Sequence, residues 1–467
     1  MHPDHSRDPR LDNPGSPSPA YLQATTRAVH DRMAEATAAA GVDEQGPDYL
    51  GQRELWAAAE SRAEALTTDL SDLLLDLHAH PETAFEEHRS QERLATFLYD
   101  RGFPVERGVH GVGTAFRTEW ASKDHRPGVH PTIAVLAEYD ALPNIGHACG
   151  HNIIAAAGVG AFLAAVDALA ARPDLPVRVV LIGTPAEEGH TGKEYMIRGG
   201  MLDGVDAAVM MHPFSFDISS HVWNGRRTLT ATFDGIAAHA SSQPFMGRNA
   251  LDAATLAYQG LGLLRQQMPP SDRLHAVVSD GGARPSIIPK TAQLEIYARS
   301  LLVDSLVDLS SRIDDILDGA ALMAGVTVTK EWDPHPMSLP IRNNRAMADR
   351  WARTQRARGR VSLPAGVVPE TLAASTDFGN VSFLVPGIHP MVKVAPEGVA
   401  LHTDEFARWS ASPQATEAAV DSAAGLAQVV VDLAADPALL TAAQEEFRQA
   451  GGAQSVADIL EGARREA

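Results

Sequence analysis

Short apolar runs alternate with stretches of helical length along much of the chain. Continuous apolar runs of four to eight residues are typical of buried strands, and longer amphipathic or wholly apolar stretches are typical of helices. Strands and helices that alternate in this way predict a mainly parallel sheet with helices on both faces. The predicted buried strands are 132–137, 177–182 and 207–211, and the predicted helices are 22–40, 49–78, 86–100, 193–199 and an apolar helix after His151.

The alternation is interrupted after residue 213. From 221 to 335 the pattern predicts a strand, a helix, two strands, a helix and a strand, and this β-α-β-β-α-β order is that of a ferredoxin-like unit. The first pattern then resumes, so the unit is predicted to be a domain inserted into a larger α/β domain. The predicted division is a flexible tail at 1–20, a first part of the larger domain at 21–220, the inserted domain at 221–335 and a second part of the larger domain at 336–467.

Composition narrows the class of protein and its partners. Hydrophobic residues make up 45% of the chain and charged residues 21%, as in ordinary globular proteins. The net charge of −20 predicts repulsion from phosphate backbones and anionic membranes, so neither nucleic acid nor a membrane is an expected partner. The longest uncharged apolar run, 153–166, is shorter than the ~20 residues that span a bilayer. With one cysteine and no secretory signal at the start, a cytoplasmic protein is expected.

Polar side chains follow three of the predicted strands. Asp140 comes after the first, the pair Glu187 and Glu188 after the second, and His212 ends the third. Ligands of open α/β sheets bind beyond the carboxyl ends of the strands, so these residues are predicted to meet at one edge. This clustering is hard to explain by packing alone.

The loop after Asp140 leads into the sequence HACGH, which contains the single cysteine, Cys149. A thiolate at Cys149 and an imidazole at His151 are ligands that zinc accepts, and the intervening glycine lets the backbone turn. Taken alone this pair is weak evidence, because a lone cysteine is more often a small buried hydrophobic residue. His147 fits a structural role better than a ligand role.

The Glu187–Glu188 pair has two interpretations. Adjacent residues in extended backbone point in opposite directions, so one carboxylate could bind a metal while the other acts as a general base. The alternative is a solvated acidic turn. For His212 the alternative is a buried core histidine, and for Asp140 it is a turn residue rather than a carboxylate that fixes the tautomer of a ligand histidine.

The inserted domain contributes three further candidates. His239 follows a predicted strand, and an exposed histidine is the simpler interpretation. Arg299 and Asn249 could hold the carboxylate or amide of a substrate. A surface ion pair is the alternative for Arg299, and a helix N-cap is a strong alternative for Asn249.

Four ordered segments resemble the two-metal amidohydrolases related to aminoacylase, carboxypeptidase G and the plant auxin-conjugate hydrolases. The sequence motif EYDALP…GHACGHN is most similar to that of the p-aminobenzoyl-glutamate hydrolases and the β-alanyl-lysine dipeptidase-like proteins. The resemblance spans roughly residues 65–435 and implies a zinc-peptidase α/β domain interrupted by a ferredoxin-like lid that forms a homodimer. The segments are AEYDALPNIGHACGHN, TPAEEGHTGKEYMIRGGMLDGVDAAVMMHP, GIAAHASSQPFMGRNALDAA and IIPKTAQLEIYARS.

The resemblance also implies a role for each candidate residue. Glu187 would be the general base, Asp140 the orienting carboxylate, and His239 a lid residue that reaches the substrate, often in the partner subunit's site. Asn249 and Arg299 would contact the carboxylate end of the substrate. One or two divalent ions, zinc or manganese, would be held by Cys149, His151, Glu188, His212 and His402.

The expected activity is hydrolysis of an amide bond in a small N-acyl amino acid, an aryl-amide glutamate or a dipeptide, with Glu187 as base toward a metal-activated water. Two alternatives stay open at this point. One is a cysteine amidase with Cys149 as nucleophile and His147 or His151 as base. The other is a non-catalytic protein that binds a small molecule on the same fold.

Overall fold

The computed structural model describes residues 15–40, 53–370 and 373–466. Most of the predicted tail at 1–20 lies outside the described residues, and 15–19 have no regular structure. The helices are α1 (Ala20–Ala40), α2 (Arg53–Ala65), α3 (Thr67–Ala79), α4 (His88–Tyr99), α5 (His151–Ala170), α6 (Gly192–Arg198), α7 (Ala250–Leu264), α8 (Val303–Ala324), α9 (Arg345–Ala357), α10 (Phe378–Ser382), α11 (Asp404–Trp409), α12 (Pro413–Ala435), α13 (Pro437–Gln449) and α14 (Val456–Glu466). The strands are β1 (Glu106–Arg107), β2 (Phe116–Ala121), β3 (Thr132–Ala137), β4 (Arg178–Gly183), β5 (Ala207–Val209), β6 (His212–Phe214), β7 (Gly225–Asp234), β8 (Arg273–Asp280), β9 (Thr291–Ser300), β10 (Thr327–Trp332), β11 (Gly387–Ile388) and β12 (Met391–Lys393).

The prediction of one helix over 49–78 is wrong, because α2 and α3 are separate helices that meet at Leu66. The hydroxyl of Thr67 donates to the carbonyl of Glu64 at 2.7 Å. A local side-chain bond of this kind competes with the hydrogen bonds of a continuous helix. Residues 49–52 of that prediction lie outside the described residues.

Six strands form the larger sheet in the order β1-β2-β4-β3-β5-β11. Strand β3 pairs in parallel with β4 and β5, and β5 pairs in parallel with β11. The antiparallel strands β1 and β2 complete one edge. The predicted mainly parallel sheet with flanking helices is therefore confirmed.

Two apolar helices, α5 and α12, pack against each other in the core beside this sheet. Every residue of α5 except Asp167 and Ala170 is buried. Among the described residues, these two helices are long and apolar enough to cross a membrane by length and composition, yet 89% of the apolar window of each is buried inside the protein. A helix at the centre of a folded core has the same properties, so this is weak evidence for a membrane span.

Four strands form a second, antiparallel sheet in the order β10-β7-β9-β8. Helices α7 and α8 cover one face of it and share a separate hydrophobic core with β7 and β9. The elements follow the predicted order along the chain: strand, helix, two strands, helix, strand. Alternate residues of β7 and β9 are buried against the helices, so the others face away from them. The domain boundaries and the role of this unit as a lid stay predictions.

The close packing of α5 gives a test of the core. A Cβ atom on Gly160 would lie 2.8 Å from both the Cβ of Ala423 in α12 and a methyl of Leu70 in α3. We expect Gly160→Val to lower the stability by about 1–3 kcal/mol, because overpacking forces the helices apart. Thermal melting followed by circular dichroism checks this. The same change at Gly262 in α7, where a Cβ meets nothing within 4 Å, is the control and leaves the melting temperature nearly unchanged. Equal melting temperatures for the two variants would contradict the close packing of α5 against α12 and α3 at Gly160.

Candidate metal centre

The C-terminal ends of β3, β4 and β5 bring the predicted polar residues to one edge of the larger sheet. Asp140 follows β3, Glu187 and Glu188 follow β4, and His212 follows β5 at the start of β6. Because these strands are parallel neighbours, their C-terminal ends lie side by side. The clustering predicted from the strand ends is present in the structure.

The backbone around the cluster adopts conformations that require special residues. Gly150 has φ +78° and precedes the first residue of α5, and a Cβ there would lie 2.5 Å from Cγ of Pro213. Glycine therefore lets the loop that carries Cys149 approach the strand that carries His212. Ala186 and His402 both have φ +62°, a conformation that costs non-glycine residues energy and that concentrates at functional sites.

Two histidines are oriented by the hydrogen bonds of their Nδ1 atoms. Nδ1–H of His151 donates to Oδ1 of Asp140 at 3.0 Å, and Nδ1–H of His212 donates to the carbonyl of Pro213 at 2.7 Å. These bonds fix the orientation of each ring, so that Nε2 faces the cluster and is the atom that a metal would bind. Nε2 of His212 lies 3.5 Å from Sγ of Cys149.

Several polar atoms here are buried without a hydrogen-bond partner. They include Nε2 of His151, Oε1 of Glu138 and Oε1 of Glu188. Nε2 of His151 lies 3.0 Å from Oε1 of Glu138 and 3.9 Å from Oε1 of Glu188, and Nε2 of His402 lies 3.3 Å from that same Glu188 atom. Buried polar atoms are normally satisfied, so a cation among these donors is the natural partner.

The donor atoms form three overlapping sets, in each of which all atoms lie within 4.8 Å of one another. Sulfur, imidazole nitrogen and carboxylate oxygen are ligands that zinc accepts, and the overlap leaves room for one ion or two. The residues therefore fit a divalent metal. The sets are Cys149–His151–His212, Cys149–Glu188–His402 and Glu138–His151–Glu187.

The pKa values of the cluster reflect burial among like charges. Burial, together with Glu138 and Glu188, raises the pKa of Glu187 well above its ordinary value. Burial raises the pKa of the Cys149 thiol well above its ordinary value, and Glu188 adds to that shift. Burial lowers the pKa of His212 to about 3, with a contribution from His151. The charges of the cluster are therefore strongly coupled, and a cation bound among them would favour the ionised carboxylates.

A buried ion-pair network beside the cluster was missed by the sequence analysis. The ammonium of Lys193 forms ion pairs with Glu138 and with Oδ1 of Asp377, the latter at 2.6 Å, and all three side chains are buried. The backbone N–H of Lys193 also donates to Oδ2 of Asp377 at 2.9 Å. From sequence, position 193 is only the start of a short helix.

None of the three candidates His239, Asn249 and Arg299 belongs to a donor set among the described residues. His239 is exposed, and its Nδ1 accepts the backbone N–H of Ser242 at 3.2 Å. Asn249 caps α7, where its side chain accepts the N–H of Leu251 at 3.0 Å, so the alternative of an N-cap is present in the structure. Arg299 lies in β9. The substrate roles of these residues stay predictions.

Comparisons with known proteins agree with this fold. The family model described as Peptidase family M20/M25/M40 matches residues 134–464. A curated relative, the Xaa-Arg dipeptidase of Mus musculus, is 35% identical over 93% of this chain and 95% of its own length. Another relative, one of the two p-aminobenzoyl-glutamate hydrolase polypeptides of Escherichia coli strain K12, is 29% identical over 82% of this chain and 92% of its own length.

Solved structures show the same fold at lower identity. A putative aminohydrolase from methicillin-resistant Staphylococcus aureus superposes with a TM-score of 0.66 at 22% identity, covering 81% of this chain and 99% of its own. The YXEP protein of Bacillus subtilis, described as a dinuclear metal-binding peptidase, superposes with a TM-score of 0.59 at 21% identity, covering 79% of this chain and 99% of its own.

Removing the buried ammonium tests the ion-pair network. We expect Lys193→Met to cost about 3–5 kcal/mol of stability, because two buried carboxylates lose their cation. Urea unfolding of the metal-free protein measures the loss, and adding Asp377→Asn to the variant recovers part of it. The control is Lys330→Met, which removes a more exposed ion pair with Asp318 and costs at most about 1 kcal/mol. Equal losses of stability in the two lysine variants would show that the buried ion pairs of Lys193 stabilise the fold no more than an exposed ion pair does.

Proposed function

Because this chain belongs to the peptidase family M20/M25/M40, we propose that the cluster at the edge of its larger sheet is the active site of a metal-dependent amide hydrolase for small substrates. The observation that carries this proposal is the convergence of sulfur, imidazole and carboxylate donors, several of them buried without partners. The relatives are named as a dipeptidase and as a p-aminobenzoyl-glutamate hydrolase. We propose the same range of substrates for this chain: a small N-acyl amino acid, an aryl-amide glutamate or a dipeptide.

The proposed ligands share one property: each presents a donor atom to the same small space. A bound divalent ion supplies a Lewis acid that polarises the substrate carbonyl and activates water. The sulfur and imidazole donors favour zinc, whereas the carboxylate-rich side of the cluster is also suited to manganese. The proposed ligands are Cys149, His151, Glu188, His212 and His402.

Glu187 is proposed as the general base. Its carboxylate belongs to the donor set with Glu138 and His151, whereas that of Glu188 belongs to the set with Cys149 and His402, so the two neighbouring carboxylates face different parts of the cluster. Burial together with Glu138 and Glu188 raises the pKa of Glu187, so this carboxyl holds a proton more readily than an exposed one. In the proposed reaction it takes a proton from water and delivers it to the departing amine. The proton is then held on a carboxylate oxygen of Glu187 between the two halves of the reaction.

Asp140 is proposed as the positioning carboxylate. Its Oδ1 accepts Nδ1–H of His151, and its Oδ2 accepts the backbone N–H of Glu188 at 2.8 Å. One buried side chain therefore fixes both the ring of one proposed ligand and the backbone of another. Behind it, Oε1 of Glu87 accepts the N–H of Ala186 at 2.9 Å and holds the same loop.

The cysteine-amidase alternative is less well supported by the geometry. Nε2 of His212 lies 3.5 Å from Sγ of Cys149, and burial lowers the pKa of that ring to about 3. Burial also raises the pKa of the thiol, so without a cation the proton stays on sulfur. Of the two bases considered for this alternative, His147 is buried against the ring of His78, and its pKa is lowered to about 3 by burial and by His151. The other, His151, is held between the carboxylates of Asp140 and Glu138, each at 3.0 Å.

We further propose that the protein is cytoplasmic and forms a homodimer through the second sheet. Strand β8 ends that sheet, and Val277 and Val278 on it are exposed. An exposed apolar edge strand readily pairs with another chain. The exposed position of His239 is compatible with a role in the site of a partner subunit.

The conservative variant Glu187→Gln tests the catalytic assignment. We expect kcat to fall by about 100-fold or more, because the general base is removed. The metal content, measured by mass spectrometry, should not change, since the proposed ligands remain. Turnover is measured on a panel of N-acyl amino acids, p-aminobenzoyl-glutamate and β-alanyl dipeptides. The control is Glu331→Gln, an exposed position in β10. Full turnover in Glu187→Gln would contradict the assignment of Glu187 as the general base.

The dimer is tested at the edge strand. A charge introduced by Val277→Asp should convert the dimer into a monomer in sedimentation velocity, because it opposes pairing of two β8 strands. The matched control is Val129→Asp, which is equally exposed but lies outside the second sheet. A monomeric parent protein, or a dimer that survives Val277→Asp, would contradict the proposed interface.

A further inference from the structure

Ala186 has a strained backbone conformation directly before the proposed general base. Its φ is +62°, in the left-handed region, which costs a non-glycine residue energy. Both of its backbone polar groups are bound. The N–H donates to Oε1 of Glu87 at 2.9 Å, and the carbonyl accepts the N–H of Gly192 at 2.8 Å. Such a conformation persists only where the surroundings fix it, so these two bonds set the direction in which the chain enters Glu187.

The side chain of Glu87 is buried and forms no ion pair with any residue that the structure describes. Its two carboxyl oxygens are bound by two neutral donors. Oε1 accepts the N–H of Ala186, and Oε2 accepts the hydroxyl of Thr114 at 2.8 Å. Burial, with a contribution from the nearby Asp140, raises the pKa of Glu87 to about 7. A carboxyl buried without a cation is costly to the fold, so packing alone does not explain this residue.

Thr114 extends this contact to the loop that carries Asp140. Its carbonyl accepts the hydroxyl of Tyr139 at 2.5 Å, and Tyr139 directly precedes Asp140 in the chain. A second bond reaches the same loop, since the carbonyl of Glu82 accepts the N–H of Ala141 at 2.8 Å. The segment between α3 and α4 is therefore bound to both of the loops that carry the proposed catalytic carboxylates.

We propose that Glu87 is a positioning residue for Glu187. It acts through Ala186, because the bond to the N–H of Ala186 holds the left-handed conformation that directs the next side chain. The proposal rests on the proposed function and adds to it a residue outside the three donor sets. The neighbouring Glu188 has separate support, since its N–H donates to Oδ2 of Asp140 at 2.8 Å. Loss of Glu87 therefore disturbs the general base more than the proposed metal ligand.

Two replacements of Glu87 separate its geometry from its charge. Glu87→Gln keeps an oxygen for the N–H of Ala186 and gains an amide that can donate to the hydroxyl of Thr114. Glu87→Ala removes both contacts. With the best substrate of the amide panel, we expect kcat to fall about tenfold to 100-fold in Glu87→Ala, because the base is displaced. In Glu87→Gln, kcat should stay within about threefold of the parent value, and KM should change by less than about threefold in both variants.

Zinc binding and a neighbouring glutamate serve as controls. The Kd for zinc, measured by competition with a chelating dye, should change by less than about threefold in Glu87→Ala, because Asp140 still holds the backbone of Glu188. A loss of zinc affinity that matches the loss of kcat would overturn the proposal, since the metal site would then be the part disturbed. Glu86→Ala changes an exposed side chain next to Glu87 and should leave kcat unchanged.

A glycine at position 186 tests the route through the backbone. Glycine adopts the left-handed conformation without the cost that alanine carries. We therefore expect Glu87→Ala to lower kcat by about threefold or less in the Ala186→Gly protein, compared with about tenfold or more in the parent. An equal loss of kcat in the two backgrounds would show that Glu87 does not act through Ala186 and would overturn the proposal.

Hydrogen exchange measures the contact itself, without turnover. In zinc-loaded Glu87→Ala, the amides of a peptide covering 184–191 should exchange about tenfold faster than in the parent, and in Glu87→Gln they should exchange at the parent rate. A peptide covering 227–233 in β7 should not change, and it reports on global stability. If the parent hydrolyses no amide but this difference in exchange is found, the proposed function fails and the hold of Glu87 on the loop stands. If exchange of 184–191 is the same in Glu87→Ala and in the parent, the positioning role fails.

Discussion

Buried negative charge at the edge of the larger sheet is the constraint on which the rest of the site depends. Glu138, Asp140 and Asp377 are almost fully removed from solvent, and Glu187 and Glu188 lie beside them. Burial of a carboxylate is costly unless a cation or hydrogen bonds compensate it. Lys193 compensates Glu138 and Asp377, and two N–H groups compensate Asp140. Some carboxylate oxygens and imidazole nitrogens keep no hydrogen-bond partner after these contacts, and they belong to residues of the donor sets. A divalent ion bound there would compensate the remaining negative charge.

The fold brings these residues together with little backbone strain. Parallel strands end side by side, so residues that are about fifty positions apart in sequence become neighbours without long loops. The loop before α5 adds the thiol, and the first residue of α5 adds an imidazole. The loop can approach the neighbouring strand because residue 150 has no side chain. The apolar helices α5 and α12 form the rigid core behind the loop. Strain in the backbone is confined to a few positions, among them Ala186 and His402.

The elements that repeat a regular pattern of apolar and polar residues could be predicted from sequence. Strand periodicity located the sheet, and the polar residues at strand ends located Asp140, Glu187 and His212. His402 lies in a loop with no periodic pattern, and only the resemblance to a family indicated it. The contacts of Lys193 could not be predicted, because its partners lie 55 and 184 positions away and a lysine is usually exposed. The register that places Arg299 of β9 between Arg226 of β7 and Arg273 of β8 could not be predicted either, because periodicity alone does not fix strand register.

X-ray absorption at the zinc edge tests the central claim most directly, because it reports the atoms bound to the metal. For the zinc-loaded protein we predict a mixed shell of nitrogen and oxygen ligands with one sulfur at about 2.3 Å. The sulfur contribution should disappear in Cys149→Ser while the imidazole contribution remains. A shell without sulfur in the parent protein would contradict the account, since Cys149 would then not be a ligand.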